Sequence, residues 1–442
     1  MSQVYFVTLD FSMEKEMNYQ EARACLEEIS SLGSVLGLDT MKELLKRLEN
    51  PQQDLKVVHI AGTNGKGSIM TFLQSILIEA GYRIGRYSSP AVFEFREMFQ
   101  IGIDYISEED FARLFFKVQT VAQKMVEDGL AHPTEFEMET AIAFLLFQEK
   151  NCDIVLIECG MGGETDATNV FSKNLCSIIA TISLDHMKFL GNTLQEIAKV
   201  KSGIIKNGCP VVSSIQSGAV ETVLRLEADN KNAEYIQAKT AIMTEEGKFK
   251  YLSNSGETYS FAMQMKGSYQ LKNVATAIEA AEQLEKKGFS VGKFIESGIE
   301  KAIWPGRMEV ISKEPLIIID GAHNPGAVEE LVQTIQRDFT NRTIAFIMGV
   351  LADKDYEEEA KMIAGFGKVI YTVTPDNKRA LPAERLAETL RKYQGAVQAK
   401  ESVAVALEQA ILDVEEGKAD MILAFGSLSY LKEVKNYVLR RK

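Results

Sequence analysis

The residues best suited to chemistry lie in segment 57–68, where an apolar run ends in a glycine-rich turn that carries one lysine. A strand, a glycine turn and a helix in that order direct backbone N–H groups at one point, which suits phosphate oxygens. Lys66 would add a charge for the outer phosphates, and Ser68 a hydroxyl near a bound magnesium ion. Gly67 stands between them, unlike the common P-loop spacing. A glycine turn is also compatible with a purely structural role, but the flanking elements favour a nucleoside triphosphate site.

Two more candidate groups follow apolar runs that we predict to be strands, at 153–158 and 177–183. Glu158 ends the first run, and Asp185 and His186 end the second. Ligands of open parallel sheets bind at the carboxyl ends of strands, where a carboxylate, an imidazole and hydroxyls suit magnesium. Taken singly, the glutamate is equally explained as a loop-capping carboxylate and the histidine as a satisfied loop residue. Their shared position favours a metal site.

The second half of the chain offers a similar group of side chains. A turn after an aliphatic strand carries three polar residues that would face a cleft between domains. An arginine just after a proline–glycine pair would reach phosphate from the joint, and a serine follows the last strand. These candidates are Asp320, His323, Asn324, Arg307 and Ser427.

Three lysines follow a capping box at 193–196, which predicts the start of a helix. A solvated lysine face is the simplest interpretation, and we adopt it for Lys199 and Lys206. This argument does not decide the role of Lys201.

These residues must be positioned by alternating strands and helices. The two runs above are almost continuously apolar, which is typical of strands buried on both faces of a parallel sheet, with helices such as 137–150 as crossovers. Segment 240–265 breaks the rhythm and predicts a small antiparallel excursion. After the joint at 304–306 the alternation restarts, with strands at 316–320, 343–348, 368–373 and 420–425.

The fold class is therefore α/β. We expect a P-loop-type, mostly parallel sheet in an N-terminal domain, residues 1–304, and a smaller Rossmann-like α/β domain, residues 305–442.

Composition narrows the function classes. The chain has 442 residues, 46% of them apolar, and a formal net charge of −13, which argues against nucleic acid or anionic membrane as a partner. No apolar run approaches the length needed to span a bilayer, and the N-terminus lacks the pattern of a secretion signal, so we expect a cytoplasmic protein. The five cysteines are scattered without a paired motif, and we expect reduced thiols.

With these pieces assembled, the chain from about Met17 onward resembles the folylpolyglutamate synthase/dihydrofolate synthase family of Mur-type amide ligases. The resemblance rests on an ordered series of motifs. They include Gly-Thr-Asn-Gly-Lys-Gly-Ser (62–68), Tyr-Ser-Ser-Pro (87–90), Thr-Glu-Phe-Glu (134–137), Glu-Cys-Gly-Met-Gly-Gly (158–163) and Asp-Gly-Ala-His-Asn-Pro (320–325), with shorter ones at 36–39, 166–169, 184–186, 201–206 and 305–309.

The resemblance implies a reaction in which ATP phosphorylates a substrate carboxylate and the amine of an incoming amino acid displaces the phosphate. The substrates would be a folate or pterin acid, L-glutamate and ATP, joined by a monomeric enzyme with Mg²⁺ and, optionally, K⁺. Glutamate would be added to the γ-carboxylate of a tetrahydrofolate. We favour this activity over the glutamylation of dihydropteroate, which stays open as an additional one.

It also implies roles for particular positions. The residues matching nucleotide contacts are Thr63, Asn64, Gly65, Lys66, Gly67, Ser68, Asn273, Arg307 and Asp320. Those matching magnesium ligands are Ser89, Glu158 and His186, and Lys201 matches a lysine carried as its carbamate in many relatives. Lys66, Lys201 and His186 would act in catalysis. The acid would lie near Gly37, Asp39, Thr134, Phe136 and Asp166, and the incoming glutamate near His323 and Ser427.

Departures from the family pattern fall in the substrate region, and one of them removes the arginine expected to meet the incoming amino acid. Ala91 stands where many relatives have histidine, Met98 where they have arginine, and Glu164 where they have another arginine. Replacing a bidentate guanidinium in this way is not conservative at a carboxylate-binding position. Arg96 would compensate for Met98 only if the extended register keeps it on the same face.

Two alternatives therefore stay open beside the folate ligase. One is a Mur-type ligase that joins a different carboxylate and amine. The other is a nucleotide-binding regulatory protein without ligation, which the retained Glu158, His186 and Lys201 disfavour.

Overall fold

The computed structural model describes residues 17–30, 33 and 37–441. Leu36, the first residue of the motif at 36–39, lies outside the described residues, as do residues 1–16, the greater part of the N-terminal segment that lacks the pattern of a secretion signal. The described chain forms a large mostly parallel sheet, a small antiparallel sheet and a second large sheet at the C-terminal end, each packed with helices. This is the predicted α/β class.

The first sheet has the strand order β4-β3-β2-β5-β1-β6-β7-β8. Its strands are β1 (Val57–Ala61), β2 (Ile84–Tyr87), β3 (Phe99–Ile101), β4 (Asp104–Tyr105), β5 (Ile154–Glu158), β6 (Cys176–Ile179), β7 (Val211–Ser213) and β8 (Tyr235–Gln237). All pairs are parallel except those made by β3 and β4, a hairpin at one edge. Strands β1 and β5 lie at the centre and are completely buried, which explains their continuous apolar sequences.

Helices cover both faces of this sheet. They are α1 (Tyr19–Ile29), α2 (Asp39–Arg47), α3 (Lys66–Glu79), α4 (Glu108–Glu127), α5 (Glu135–Glu149), α6 (Met187–Leu190), α7 (Leu194–Ser202), α8 (Gly218–Asn230), α9 (Gln270–Lys286) and α10 (Ile295–Lys301). Helices α3, α9 and α10 contribute to one core with Val58 and Ile60 of β1. Helices α1, α2, α4 and α5 form the core on the opposite face. Ala61, at the carboxyl end of β1, packs in a further core with residues of α7 and α8, so the end of the strand is enclosed as well.

The small sheet, with the order β11-β10-β9, is the antiparallel excursion that the sequence predicts. It consists of β9 (Ile242–Met243), β10 (Phe249–Leu252) and β11 (Thr258–Phe261). Tyr251 donates a hydrogen bond to Glu279 of α9 (2.7 Å), and Tyr259 donates one to Glu282 (2.9 Å). These bonds attach the small sheet to α9.

The second large sheet has the order β12-β13-β17-β14-β15-β16. Its strands are β12 (Glu309–Lys313), β13 (Leu316–Ile319), β14 (Ile344–Met348), β15 (Gly367–Thr372), β16 (Val397–Ala399) and β17 (Met421–Phe425), and its helices are α11 (Pro325–Asp338), α12 (Tyr356–Ile363), α13 (Ala383–Arg391), α14 (Val403–Glu415) and α15 (Leu431–Arg441). The antiparallel strand β12 and the short strand β16 are additions that the sequence pattern did not predict, because neither forms a long apolar run.

Three local predictions were wrong. Strand β6 ends at Ile179 rather than residue 183, because the carbonyl of Thr181 turns to accept the N–H groups of Thr63 and Asn64 (2.9 and 3.1 Å). Asp185 and His186 therefore lie in a loop beyond the strand. The connection from β5 to β6 contains no helix, and the predicted helix 137–150 corresponds to α5, which precedes β5.

The third error concerns Lys206. It lies beyond the end of α7, is only partly exposed, and donates a hydrogen bond to Asn169 (2.6 Å), so it is not part of a solvated lysine face. Burial lowers its pKa. Lys199 is exposed as predicted, although it also pairs with Glu227 (2.6 Å).

All five cysteines are free thiols. Among the helices of the described ranges, none combines the length and the apolar character needed to cross a membrane.

Candidate active site

The glycine-rich turn at the end of β1 leads directly into α3. Gly62 and Gly65 have φ angles of 146° and 93°, which L side chains rarely adopt. A Cβ on Gly62 would lie 2.6 Å from Ala180 Cβ, and one on Gly65 would lie 2.4 Å from Asn273 Oδ1. Both glycines are thus required by backbone conformation and by close packing. The turn is held in one shape with its N–H groups at the N-terminus of α3.

Lys66 opens α3 and folds back over this turn. Its Nζ lies 3.2 Å from the carbonyl oxygens of Gly62 and Thr63, and 3.6 Å from Oε1 of Glu158. Ser68 is buried and accepts a hydrogen bond from Gln270 of α9 (3.2 Å). The ammonium group is thus held at the mouth of the turn, next to a carboxylate from the neighbouring strand.

Glu158 is the last residue of β5, which lies beside β1. Burial raises the pKa of its carboxyl group, and the positive charges of Lys66, Arg86 and Arg307 oppose that rise. Ser89 follows β2, the next strand on the other side of β5, so it lies at the same edge of the sheet.

Lys201, on α7, is almost completely buried, and its Nζ donates a hydrogen bond to the carbonyl of Gly62 (2.9 Å). Burial, reinforced by the charge of Lys66, lowers its pKa to about 8. The fold therefore brings two lysines to the same carbonyl of the phosphate turn, and one of them has a substantial neutral fraction near physiological pH.

His186 has a left-handed backbone conformation, with φ of 49°, and begins the short helix α6. Burial is the main factor that lowers its pKa; the charge of Asp185 opposes that change, and the charges of Lys354, Lys201 and Lys66 add to it. Its neighbour Asp185 pairs with Lys354 of the second sheet region (2.7 Å). Burial would raise the pKa of Asp185, but this ion pair lowers it to about 2.

The second sheet region reaches the phosphate turn through Asn324. The side-chain amides of Asn64 and Asn324 exchange reciprocal hydrogen bonds of 3.1 and 3.0 Å. Asn324 also caps α11 by accepting the N–H of Ala327 (2.9 Å). The two halves of the chain thus meet at the phosphate turn.

Other predicted residues of this half have partners of their own. Asp320 accepts hydrogen bonds from Tyr269 (2.8 Å), from the N–H of Met308 (2.9 Å) and from the N–H of Ala322 (2.8 Å). His323 contacts the carbonyl of Gly321 through Nδ1 (2.8 Å), and burial, with the charge of Lys354, lowers its pKa to about 4.

Arg307 packs its guanidinium against Gly321, where a Cβ would lie 1.5 Å from Nη1. Ser427 caps the turn after β17 by accepting the N–H of Ser429 (3.3 Å). Both residues flank the turn at 320–325.

The acid side is built from the N-terminus of α5 and the loop after β5. Thr134 caps α5 in a reciprocal box with Glu137, and the ring of Phe136 stacks on Tyr87 with centroids 6.1 Å apart. Asp166 accepts the N–H groups of Met161 (2.8 Å) and Thr168 (3.0 Å), and the hydroxyl of Thr168. Its carboxylate thus shapes the loop 160–169 in addition to any contact with substrate.

The departures from the family pattern have definite locations. Met98 is buried in the core on the α5 face, Ala91 packs against that core, and Glu164 is exposed. Arg96 pairs with Glu94 (2.5 Å) and donates to the carbonyl of Ile106 (3.2 Å). Residues Phe95–Met98 form a 3-10 helix rather than an extended segment, so the register that would let Arg96 replace the missing arginine is absent.

Several residues around the site were missed in the sequence. Arg86 is buried in β2 and hydrogen-bonds to Thr71 (3.0 Å) and Gln74 (2.7 Å). A charged residue within a strand of four buried residues was the available signal. No such signal existed in the sequence for Lys354 or Tyr269, because the residues that they contact lie far away along the chain.

Within residues 17–30, 33 and 37–441, no group of three or more His, Cys, Asp or Glu side chains could hold a metal alone. A buried carboxylate beside the phosphate turn nevertheless fits magnesium, which binds proteins through one or two carboxylates and completes its shell with phosphate oxygens and water. Glu158 is that carboxylate.

Two family models match the chain. The Mur ligase middle domain matches residues 60–281, and the Mur ligase, glutamate ligase domain, matches residues 306–428. Among curated proteins, the chain is 34% identical to the dihydrofolate synthase/folylpolyglutamate synthase of Bacillus subtilis, over 94% of this chain and 98% of that protein. It is 32% identical to the folylpolyglutamate synthase of Lacticaseibacillus casei, over 96% of this chain and all of that one.

Solved structures agree in fold. The folylpolyglutamate synthase of Mycobacterium tuberculosis, complexed with ADP and AMPPCP, superposes with a TM-score of 0.86 at 26% identity, covering 94% of this chain and 99% of that one. E. coli FolC in complex with DHPP and ADP superposes with a TM-score of 0.85 at 27% identity, covering 95% and 98%.

Proposed function

Since the chain belongs to the folylpolyglutamate synthase/dihydrofolate synthase family of Mur ligases, we propose that it uses ATP to add L-glutamate to the γ-carboxylate of a tetrahydrofolate. Conversion of dihydropteroate to dihydrofolate is a second activity of the same site. The relatives do not favour a ligase for a different acid and amine. The observation that carries the proposal is Lys66, held between the phosphate turn and the buried Glu158 at the contact with the second sheet region.

The geometry suits acyl phosphate chemistry. The triphosphate would lie on the turn 62–68, where the N–H groups and Lys66 balance charge on the transferring phosphoryl group. A carboxylate oxygen of the acid attacks the γ-phosphorus, ADP leaves, and an acyl phosphate forms. The amine of glutamate then attacks the acyl carbon and displaces phosphate. Such steps depend on positioning and electrostatic stabilisation rather than on a protein nucleophile.

Magnesium, when bound, would neutralise phosphate charge at this site. The residues that we assign to it are Ser89, Glu158 and His186. We also propose K⁺ as a second cation, and we assign no residues to it. We also propose that Lys201 is carbamylated: its amine would add to CO₂ and release a proton, and the low pKa and buried position favour that neutral amine.

The remaining roles follow the family positions. Asn273, Arg307 and Asp320 would contact nucleotide, and His323 and Ser427 would lie beside the incoming glutamate. The acid would contact Thr134, Phe136 and Asp166, with Gly37 and Asp39 nearby. The monomer remains the expected state of the protein.

The test is a substrate panel. Purified protein with Mg²⁺ and ATP is given tetrahydrofolate or dihydropteroate with L-glutamate or another amino acid, and both ADP and the ligated product are measured. We expect sustained ADP formation only with a pterin acid and glutamate together, and each product to exceed its acceptor by the mass of one or more glutamates. Turnover with another acid or amine, but not with these, would contradict the proposal.

A further inference from the structure

Gly67, the residue that makes the phosphate turn unlike a common P-loop, packs against an aromatic ring. A Cβ on Gly67 would lie 3.1 Å from both Cζ2 and Nε1 of Trp304, closer than side chains usually approach. Its backbone is in the first turn of α3 and lacks the positive φ of Gly62 and Gly65. The tight packing at this position therefore comes from the ring, which would have to shift by a few tenths of an ångström to admit a side chain.

The indole ring of Trp304 also contacts the guanidinium group of Arg86. The guanidinium carbon of Arg86 lies 4.1 Å from the centre of the indole ring, and the arginine is 1% exposed. A cation that is removed from water in this way interacts more strongly with an aromatic face than an exposed one does. Nε and Nη2 of Arg86 and Nε1 of Trp304 are buried without hydrogen-bond partners, so shape and charge hold the pair together.

Two consecutive hydrogen bonds connect Arg86 to the phosphate turn. Arg86 donates to the hydroxyl of Thr71 (3.0 Å), and Thr71 donates to the carbonyl of Gly67 (2.8 Å). Trp304 precedes Pro305 and the start of the second sheet region. One ring thus contacts the first turn of α3 at the point where the chain passes from one half of the molecule to the other.

We propose that Trp304, clamped by Arg86, is a positioning residue that sets the orientation of the phosphate turn and couples it to the joint between the two halves. The inference rests on the proposed nucleotide site. It assigns a role in the reaction to two residues outside the proposed nucleotide, metal and substrate positions.

The experiment is a double-mutant cycle on Mg-ADP affinity, measured by calorimetry, with thermal unfolding recorded for each variant. Gly67→Ala should weaken ADP binding about tenfold, because the added methyl group overpacks against the ring. Trp304→Phe keeps an aromatic face for Arg86 and removes the crowding atoms, so in that background Gly67→Ala should cost less than twofold. Gly218→Ala, in the first turn of α8 with open space around it, is the matched control and should bind ADP normally.

A tenfold penalty that persists in the Trp304→Phe background would overturn the proposal, and so would normal ADP affinity in Gly67→Ala. Trp304 is the only tryptophan of the chain, so its emission should also change when ADP saturates the unaltered protein; unchanged emission would count against the coupling. Failure of the unaltered protein to bind ADP would refute the proposed function instead, which separates the two conclusions.

Discussion

The nucleotide side and the acid side of the cleft are built differently. On the nucleotide side, the turn 62–65 is fixed by glycine backbone angles, by the two cores that hold β1, and by one lysine. On the acid side, the loop 160–169 is held by side chains, chiefly the buried carboxylate of Asp166 and the amide of Asn169, and it contains Glu164, one of the positions that depart from the family pattern. A site made mainly of backbone tolerates little change, whereas one made of side chains can drift while the chemistry is kept.

The largest effect should follow a change on the nucleotide side. Lys66→Ala removes the only side-chain charge in the phosphate turn, and we expect ligation to fall by about 10²–10³-fold, the usual cost of losing such a stabilising group. Steady-state ADP formation measures the loss, and circular dichroism checks the fold. Lys199→Ala, on the surface of α7, is the control with normal turnover. If Lys66→Ala retained more than a tenth of the activity, the nucleotide side would not depend on this lysine as we infer.

The acid side should show its dependence on buried side chains through pH. Burial, and secondarily Glu135, raises the pKa of Glu139 on α5 from 4.5 to about 8. The folded protein therefore holds a proton that the unfolded chain has lost. The contribution of this neutral carboxyl to the free energy of unfolding is fully present below pH 4.5 and is lost as pH rises through 8. The free energy of unfolding falls by about 2–4 kcal/mol over that range.

Glu139→Gln should remove this part of the pH dependence. Urea unfolding at pH 5 and pH 8.5 should give a smaller difference in the free energy of unfolding than in the unaltered protein. Glu109→Gln, exposed on α4, is the control that leaves the difference unchanged. If the difference in the free energy of unfolding between pH 5 and pH 8.5 were equal in all three proteins, the ionisation of Glu139 would not destabilise the folded state.

Asp166→Asn tests whether the acid loop can be disturbed separately from the nucleotide site. The amide has one acceptor oxygen, so it cannot satisfy the donors that two carboxylate oxygens now accept, and losing such bonds costs about 1–3 kcal/mol. We expect the KM for the pterin acid to rise about tenfold while the KM for ATP stays constant. Asp413→Asn, another buried carboxylate that binds Tyr371 far from the cleft, should change neither KM. Equal increases in both KM values would mean that the two sides are not independent.

The smallest effect concerns the exposed Glu164. Glu164→Arg replaces an anion by a cation near the proposed position of an anionic acid, so the KM for that acid should fall two- to fivefold, about the size of a surface charge interaction. The gain should disappear at high salt because surface charges are screened. Glu127→Arg, at the far end of α4, should show no change. A gain that survives high salt would indicate a direct contact instead of a long-range attraction.

Much of the nucleotide side was predictable because its pattern is local. The apolar run, the glycines and the helical spacing at 57–77 specify a strand, a turn and a helix within a few residues. The same local reasoning placed the strands near 153–158 and 421–425 correctly. It failed for the segment after Ile179, where Thr181 leaves the strand to bond with the phosphate turn, a partner more than a hundred residues away.

The amino-acid sequence alone determined the α/β class and the phosphate turn, because apolar periodicity and glycine positions act over short distances. The resemblance to the family came from the ordered series of motifs. Tertiary structure decided the rest. The low pKa of Lys201, the amide pair of Asn64 with Asn324 and the ring of Trp304 against Gly67 all join segments that are distant along the chain. Burial and close contact set the properties of these groups, and neither exists until the whole chain has folded.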